Sequence, residues 1–311
     1  MITSPTNNKP LVVWQIDDSK PGHINQSLGL IQALGRFVRI DHHVIDRQPA
    51  GNLIWQWLTR RFPAGNGLPA PGLIVGAGHG THATLLCAGR AAGGCTVVLM
   101  RPDLPLSWFD WCLIPAHDNP PPSANVITTT GTLNRIQPGG EHDPGSGVIL
   151  VGGTSKHFHW DGASIVSQIE ALTRPAGCRW QITDSRRTPA DTRAALSRLN
   201  SDNVRYVPNE QTGPDWLPAQ LATVGTVWVS EDSMSMIYEA LTSGARVGLL
   251  ELPSPASDRL AVANKALIRN GMVLPFSSWQ TGQDFKITSP PLNEADRCAR
   301  LLLEQTGFWI E

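Results

Sequence analysis

The chain has 311 residues, 41% of them hydrophobic, and a formal net charge of -1. At roughly 100–200 residues per domain this length predicts two domains, and the neutral balance argues against nucleic acid as the main partner. The five cysteines, Cys87, Cys95, Cys112, Cys178 and Cys298, are scattered and form no C-x-x-C pair, which counts against a zinc site or a disulfide framework and fits a reducing cytoplasm.

Residues 1–10 are polar, without the apolar core of a signal segment. No run reaches the ~20 apolar residues of a membrane span, so the expectation is a cytoplasmic protein, at most peripheral to the inner membrane. Strands and helices then alternate. Leu11 to Ile16 reads as a strand, and a helix from Pro21 carries Ile24, Leu28, Ile31 and Leu34 on one side. Phe37 to Ile45 is a strand, Asn52 to Phe62 a helix, Gly72 to Val75 a strand, Gly80 to Ala92 a helix and Thr96 to Met100 a strand. Trp111–Ile114 and Val126–Thr129 finish the first sheet.

Gln137 to Gly147, rich in Pro and Gly, is the linker candidate. Beyond it come a strand Val148–Val151, a helix capped by Asp161 and running through Leu172, a strand Trp180–Thr183 and a helix opened by Thr188-Pro189. Val204–Val207 and Thr226–Val229 are strands. A helix follows Ser230–Ser233, with Met234, Ile237 and Leu241 on one face and Gly244 as its left-handed stop. Strand Arg246–Leu250, helix Asp258–Arg269, strand Met272–Pro275 and helix Asn293–Glu304 complete the chain. The alternation predicts an α/β fold of two Rossmann-like domains, residues 1–140 and 147–290, facing across a cleft.

The loops after the strands carry the candidate chemistry. The first, Asp17 to Gln26, offers Asp17 and Asp18 as a base or metal ligands, Lys20 and a helix N-terminus for an anion, Gly22 for close approach, His23 as a base, and Asn25 and Gln26 as hydrogen-bonding groups. Gly76-Ala-Gly78-His79-Gly-Thr-His82 repeats the theme, favouring backbone binding with at most one functional histidine. Arg101 and Asp103 form a loop charge pair that can face the cleft or brace it. In the second half, Gly152-Gly153-Thr154-Ser155-Lys156 can wrap a diphosphate. Ser185-Arg186-Arg187 adds bidentate guanidinium forks. Ser230-Glu231-Asp232-Ser233 and Ser235 present hydroxyls at a helix N-terminus, and Glu239, about two turns on, is within reach of a ribose. Glu251, Asn264 and Lys265 can contact a sugar or base, or Pro253 and Pro255 simply shape a rigid turn. The Trp, Leu and Arg of residues 52–62 suit a membrane surface or a lipid acceptor, against the plainer reading of a satellite core helix. No G-x-S-x-G elbow, P-loop or H-E-x-x-H is present.

With these motifs placed, the chain resembles the mitochondrial fission factor family, the plant elongated-mitochondria protein and its bacterial homologues. The matching pieces are Gly22-His-Ile-Asn-Gln26, Gly76-Ala-Gly-His79, Val151-Gly-Gly-Thr154, Thr183-Asp-Ser-Arg-Arg-Thr188 and Ser230-Glu-Asp-Ser-Met-Ser-Met236 with Glu239 and Ala240. Bacterial relatives are labelled nucleoside-diphosphate-sugar epimerases, yet this chain lacks an early glycine-rich dinucleotide loop, and Tyr238 leads to no lysine at the Tyr-x-x-x-Lys spacing. The layout is also similar to the GT-B glycosyltransferases. That resemblance implies phosphate contacts from Ser233 and Ser235, ribose contact from Glu239, diphosphate contact from Arg186, an acceptor side at the first loop, and a final helix from about residue 291 packing back on the first domain. The implied reaction moves a sugar from a nucleotide-sugar to a hydroxyl acceptor, lipid-linked in some relatives, with Asp17 or His23 as base and no metal or cofactor. The alternatives are a non-catalytic nucleotide-binding adaptor and a nucleotide-sugar epimerase.

Overall fold

A computed structural model describes residues 9–255, 257–285 and 292–308. The chain divides into two compact units, one of residues 1–135 with 294–311 and the other of residues 136–293. The first unit alternates β1 (Leu11–Asp17), α1 (Pro21–Leu34), β2 (Ile40–Asp46), α2 (Ala50–Thr59), β3 (Leu73–Ala77), α3 (His82–Ala92), β4 (Cys95–Leu99), β5 (Trp111–Pro115) and β6 (Val126–Thr129). Its six strands are parallel, in the order β2-β1-β3-β4-β5-β6. Strands buried on both faces read as continuous apolar runs, and Leu73-Ile-Val75 is an example.

The second unit runs β7 (Asp143–Leu150), α4 (Gly162–Thr173), β8 (Arg179–Thr183), α5 (Ala190–Ser197), β9 (Val204–Val207), α6 (Trp216–Leu221), β10 (Val224–Ser230), α7 (Met234–Ser243), β11 (Arg246–Leu250), α8 (Arg259–Arg269), β12 (Leu274–Pro275) and α9 (Phe276–Gln280). Its six parallel strands are ordered β12-β11-β10-β7-β8-β9. The last helix, α10 (Glu294–Thr306), belongs to the first unit. It lays Cys298, Ala299, Leu302 and Leu303 into the core shared with Leu30 and Leu34 of α1. Arg36 pairs with Asp296, and Arg297 donates to the Thr128 carbonyl at 2.7 Å, fixing its first turn. Each unit is a Rossmann-like doubly wound sheet, the α/β class expected.

Three local expectations change. The Pro/Gly run from Asp143 to Gly147 belongs to β7 rather than to a linker. Gly147 is needed in that strand because the Trp180 ring lies over it, with a Cβ there falling 2.2 Å from the ring. Pro189 is the N-cap of α5, one position earlier than the first helical turn. The α2 helix is not a satellite core helix: Gln56 is its one buried residue, while Ile54, Trp55, Trp57 and Leu58 are exposed.

Candidate functional site

In a doubly wound sheet, ligands bind beyond the carboxyl ends of the strands, at the point where strand order reverses. That point lies between β1 and β3 in the first unit and between β7 and β10 in the second.

In the first unit, the loop after β1 turns tightly. Ser19 takes a positive φ of 62°, and its N–H donates to the Asp17 Oδ1 at 2.7 Å. Asp17 therefore closes its own turn. The neighbour, Asp18, is the residue that meets His23: its side chain is buried, and Nδ1 of His23 lies 2.9 Å from its Oδ2. Burial alone would raise the Asp18 carboxyl, but the His23 hydrogen bond and charge, the Lys20 N–H and the Lys20 ammonium 3.6 Å away hold it below its ordinary 3.8. The Asp18 carboxylate faces Nδ1 of His23, so Nε2 is the ring nitrogen not engaged by this aspartate. The loop after β3 makes room for this pair. Gly78 (φ 76°) sits against the His23 ring, where a Cβ would fall 2.2 Å from Cε1, and a Cβ on Gly80 would fall 3.0 Å from Asp18 Oδ2.

The other residues expected on this side are distributed unevenly. Lys20 and His79 are exposed beside the pair, and Asn25 is half-buried on α1. Gln26 is buried and donates to the Met100 sulfur at 3.5 Å. Arg101 spends its guanidinium on the carbonyls of Asp118 and Asn119, at 2.9 and 3.1 Å, so it braces a neighbouring turn. Gly22 has open space where a Cβ would be, so no close approach within the chain requires a glycine there. His82 is buried against Phe109, and burial, then the charges of His79 and His23, outweigh Asp103 and hold it below its ordinary value.

In the second unit, Asp232 organises the switch point. Its buried carboxylate accepts from Ser230 Oγ at 2.7 Å, from the Gly153 N–H at 3.0 Å and from Arg187 Nη2 at 2.8 Å. Ser230 Oγ in turn accepts from the Gly152 N–H at 2.7 Å. Arg187 also donates to the carbonyls of Gly153 and Thr154 at 3.2 and 3.0 Å. Ser185 Oγ donates to the Gly152 carbonyl at 2.9 Å, and Thr188 Oγ1 donates to the same carbonyl. A Cβ on Gly152 would fall 2.3 Å from the Asp232 carboxylate, and one on Gly153 2.1 Å from Arg187 backbone. These glycines thus answer to a tight joint between three loops. The N–H groups of Gly152 and Gly153 are thus donated within the chain, and Ser185, Arg187, Ser230 and Asp232 belong to the same hydrogen-bonded joint.

Groups left outward on this frame are cationic or hydroxylic. Lys156 and Arg186 are exposed and make no ion pair among the described residues. Thr154 is exposed, and the hydroxyl of Ser155 accepts from the N–H groups of His157 and Phe158 at 3.3 Å each. At the N-terminus of α7, Ser233 is the N-cap but makes no side-chain capping bond, and Ser235 is exposed. The first N–H groups of α7 carry the positive end of the helix dipole without a side-chain acceptor. Glu239 is buried on the same helix. Glu231 accepts from the Leu252 N–H at 3.0 Å. Burial pushes its carboxyl up to about 7, helped by Glu251 and Asp232 against Leu252 and Lys265. His157 donates to Asp258, 2.7 Å away, the residue that caps α8.

The sequence offers Asp17 and Asp18 alike and marks Asp258 only as the start of a helix; the structure pairs Asp18 with His23 and Asp258 with His157. Nothing separates Asp17 from Asp18 in sequence; the positive φ at Ser19 decides which carboxylate turns inward.

The fold is shared with known structures. A UDP-N-acetylglucosamine 2-epimerase superposes with a TM-score of 0.59 over 98% of this chain and 98% of that one, at 14% identity. The S. aureus MnaA–UDP co-structure matches with a TM-score of 0.51 over 96% of this chain and 89% of that one, at 10% identity. The glycosyltransferase SnogD from Streptomyces nogalater matches with a TM-score of 0.51 over 97% of this chain and 96% of that one, at 13% identity. These structures, one of an epimerase and one of a glycosyltransferase among them, thus share the fold of this chain. No curated protein matches the sequence. The sequence model of mitochondrial fission ELM1 proteins matches residues 21–306, from the start of α1 to the end of α10, and the chain belongs to that family.

Proposed function

We propose that the protein is a glycosyltransferase of GT-B type, moving a sugar from a nucleoside-diphosphate sugar to a hydroxyl acceptor. The observation that carries this reading is the Asp18–His23 pair, at 2.9 Å, in the loop after β1. A transferase needs a base for the acceptor, and a histidine held by a carboxylate with a buried side chain can supply it. In this scheme His23 Nε2 takes the proton of the acceptor hydroxyl as its oxygen attacks the anomeric carbon. The bond from that carbon to the diphosphate breaks, and the diphosphate leaves with the electron pair.

The second unit supplies the donor seat. The N–H groups of α7 with Ser233 and Ser235 take the diphosphate, Arg186 and Lys156 neutralise it, and Glu239 holds the ribose hydroxyls. Asp18 acts as a positioning residue for His23, and Lys20, His79 and Asn25 flank the acceptor. UDP is the nucleotide to try first, because the MnaA structure of the same fold contains UDP. Epimerisation is the second reading, favoured by the fold match to a UDP-N-acetylglucosamine 2-epimerase.

The test incubates the protein with UDP-sugars and a membrane-lipid extract and follows UDP release. Transfer predicts release that needs the extract and falls by about 10²–10⁴ in His23→Gln, with UDP affinity retained. Epimerisation predicts solvent deuterium at the sugar C2 without UDP release. Neither reaction, with UDP still bound, leaves the adaptor reading.

A further inference from the structure

The outward side of α2 is its apolar side. Ile54, Trp55, Trp57 and Leu58 are 71%, 50%, 41% and 74% exposed, while Gln56 is buried. At 3.6 residues per turn, Gln56 and the half-buried Leu53 point one way, Ile54, Trp55 and Leu58 occupy the opposite arc, and Trp57 flanks the inner edge beside Leu53. A surface helix normally has the reverse arrangement. The helix is held by that inner edge against α3: Cys87 Sγ donates to the Leu53 carbonyl at 3.4 Å, and Arg90 Nε donates to the Trp57 carbonyl at 3.1 Å.

Three arginines stand at this face: Arg60 and Arg61 follow α2 directly, and Arg90 reaches it from α3. Arg90 lies over the Trp57 ring, 4.6 Å from its centroid. Arg60, at the C-cap with a left-handed φ of 52°, and Arg61 line a recess of about 540 Å³ with Trp55, Phe62 and Asn66. Exposed Trp, Ile and Leu beside arginines that form no ion pair among the described residues have the composition of an interfacial helix, with apolar side chains at acyl depth and cations at the phosphates.

We propose that the α2 face docks on an anionic phospholipid surface, with Ile54, Trp55, Trp57 and Leu58 in the interface and Arg60 and Arg61 on lipid phosphates. The proposal does not depend on the chemistry of the site. It is tested by flotation of the full chain with vesicles of phosphatidylcholine alone or mixed equally with phosphatidylglycerol. The wild type floats with the mixed vesicles, and salt weakens the association. Ile54→Ser with Leu58→Ser, and separately Arg60→Gln with Arg61→Gln, each weaken it by about tenfold or more at unchanged Tm, because these side chains are exposed. A wild type that stays behind with mixed vesicles overturns the proposal, as does equal flotation of both double variants. A concentration-dependent dimer abolished by Ile54→Ser with Leu58→Ser assigns the face to a second copy of the chain and overturns it as well.

Discussion

A methyl group on Gly153 would meet Arg187 backbone at 2.1 Å, whereas one on Gly22 would meet nothing within 4 Å. Gly153→Ala is therefore expected to destabilise the second unit by about 1–3 kcal/mol, and Gly22→Ala, in the first turn of α1, to be neutral or to stabilise by up to about 1 kcal/mol. Urea titration of both variants checks the contrast. In sequence the two glycines look alike, both in loops ahead of helices, because the neighbour that makes one indispensable comes from another strand end. The same limit applies to the acids. Asp18 has a folded pKa below its ordinary 3.8, so its contribution is present above that value and is lost as pH falls through the folded one. Asp18→Asn should remove that acid limb from a plot of Tm against pH. Glu231 behaves oppositely, with a folded value of about 7 against an ordinary 4.5. Its burial is tolerated while it is protonated, so stability falls between about pH 4.5 and 7 and stays lower above. Glu231→Gln should lose that fall, so that its Tm relative to the wild type rises from pH 5 to pH 8; an unchanged difference would show that Glu231 titrates normally.

At the scale of elements, periodicity located nearly every helix and strand, with shifts of a few residues at the ends. The α10 helix was legible as an amphipathic segment, and its place against α1 came from resemblance alone, since its partners lie far away in sequence. Leu303 is fully buried there, and Leu303→Ala should cost about 2–5 kcal/mol, read by urea unfolding. The α2 helix shows where pattern falls short. Its composition suits either a core or an interface, and only the burial of Gln56 shows that the apolar arc faces outward. The Asp143–Gly147 run failed for a related reason: Gly and Pro signal a loop locally, but the Trp180 ring across the sheet requires a glycine within the strand.

Across the whole molecule, one plan appears twice. Each unit places glycine-bearing loops at the reversal of its strand order and a buried aspartate beside them: Asp18 bonds within its own loop and lies against Gly80, while Asp232 joins its loops directly. The difference lies in the aspartate's partner. Asp18 holds a histidine, a group that moves protons; Asp232 holds an arginine and two loops, a frame beneath the uncapped α7. Alternating strands and helices made the doubled fold readable in the sequence, and the strand-end motifs lie in the loops at the two reversals of strand order. Which of their residues are frame and which face a ligand was not readable, because that division depends on hydrogen bonds between loops 30 to 80 residues apart, such as Gly152 with Ser230 and Arg187 with Gly153. The most direct test of a nucleotide seat on the second unit is calorimetric titration of UDP into the wild type and Glu239→Ala. Saturable binding, at least about tenfold weaker in the variant as expected for loss of charge-assisted hydrogen bonds to the ribose, is the predicted result. An absence of UDP binding, or equal affinity in the two proteins, would contradict it.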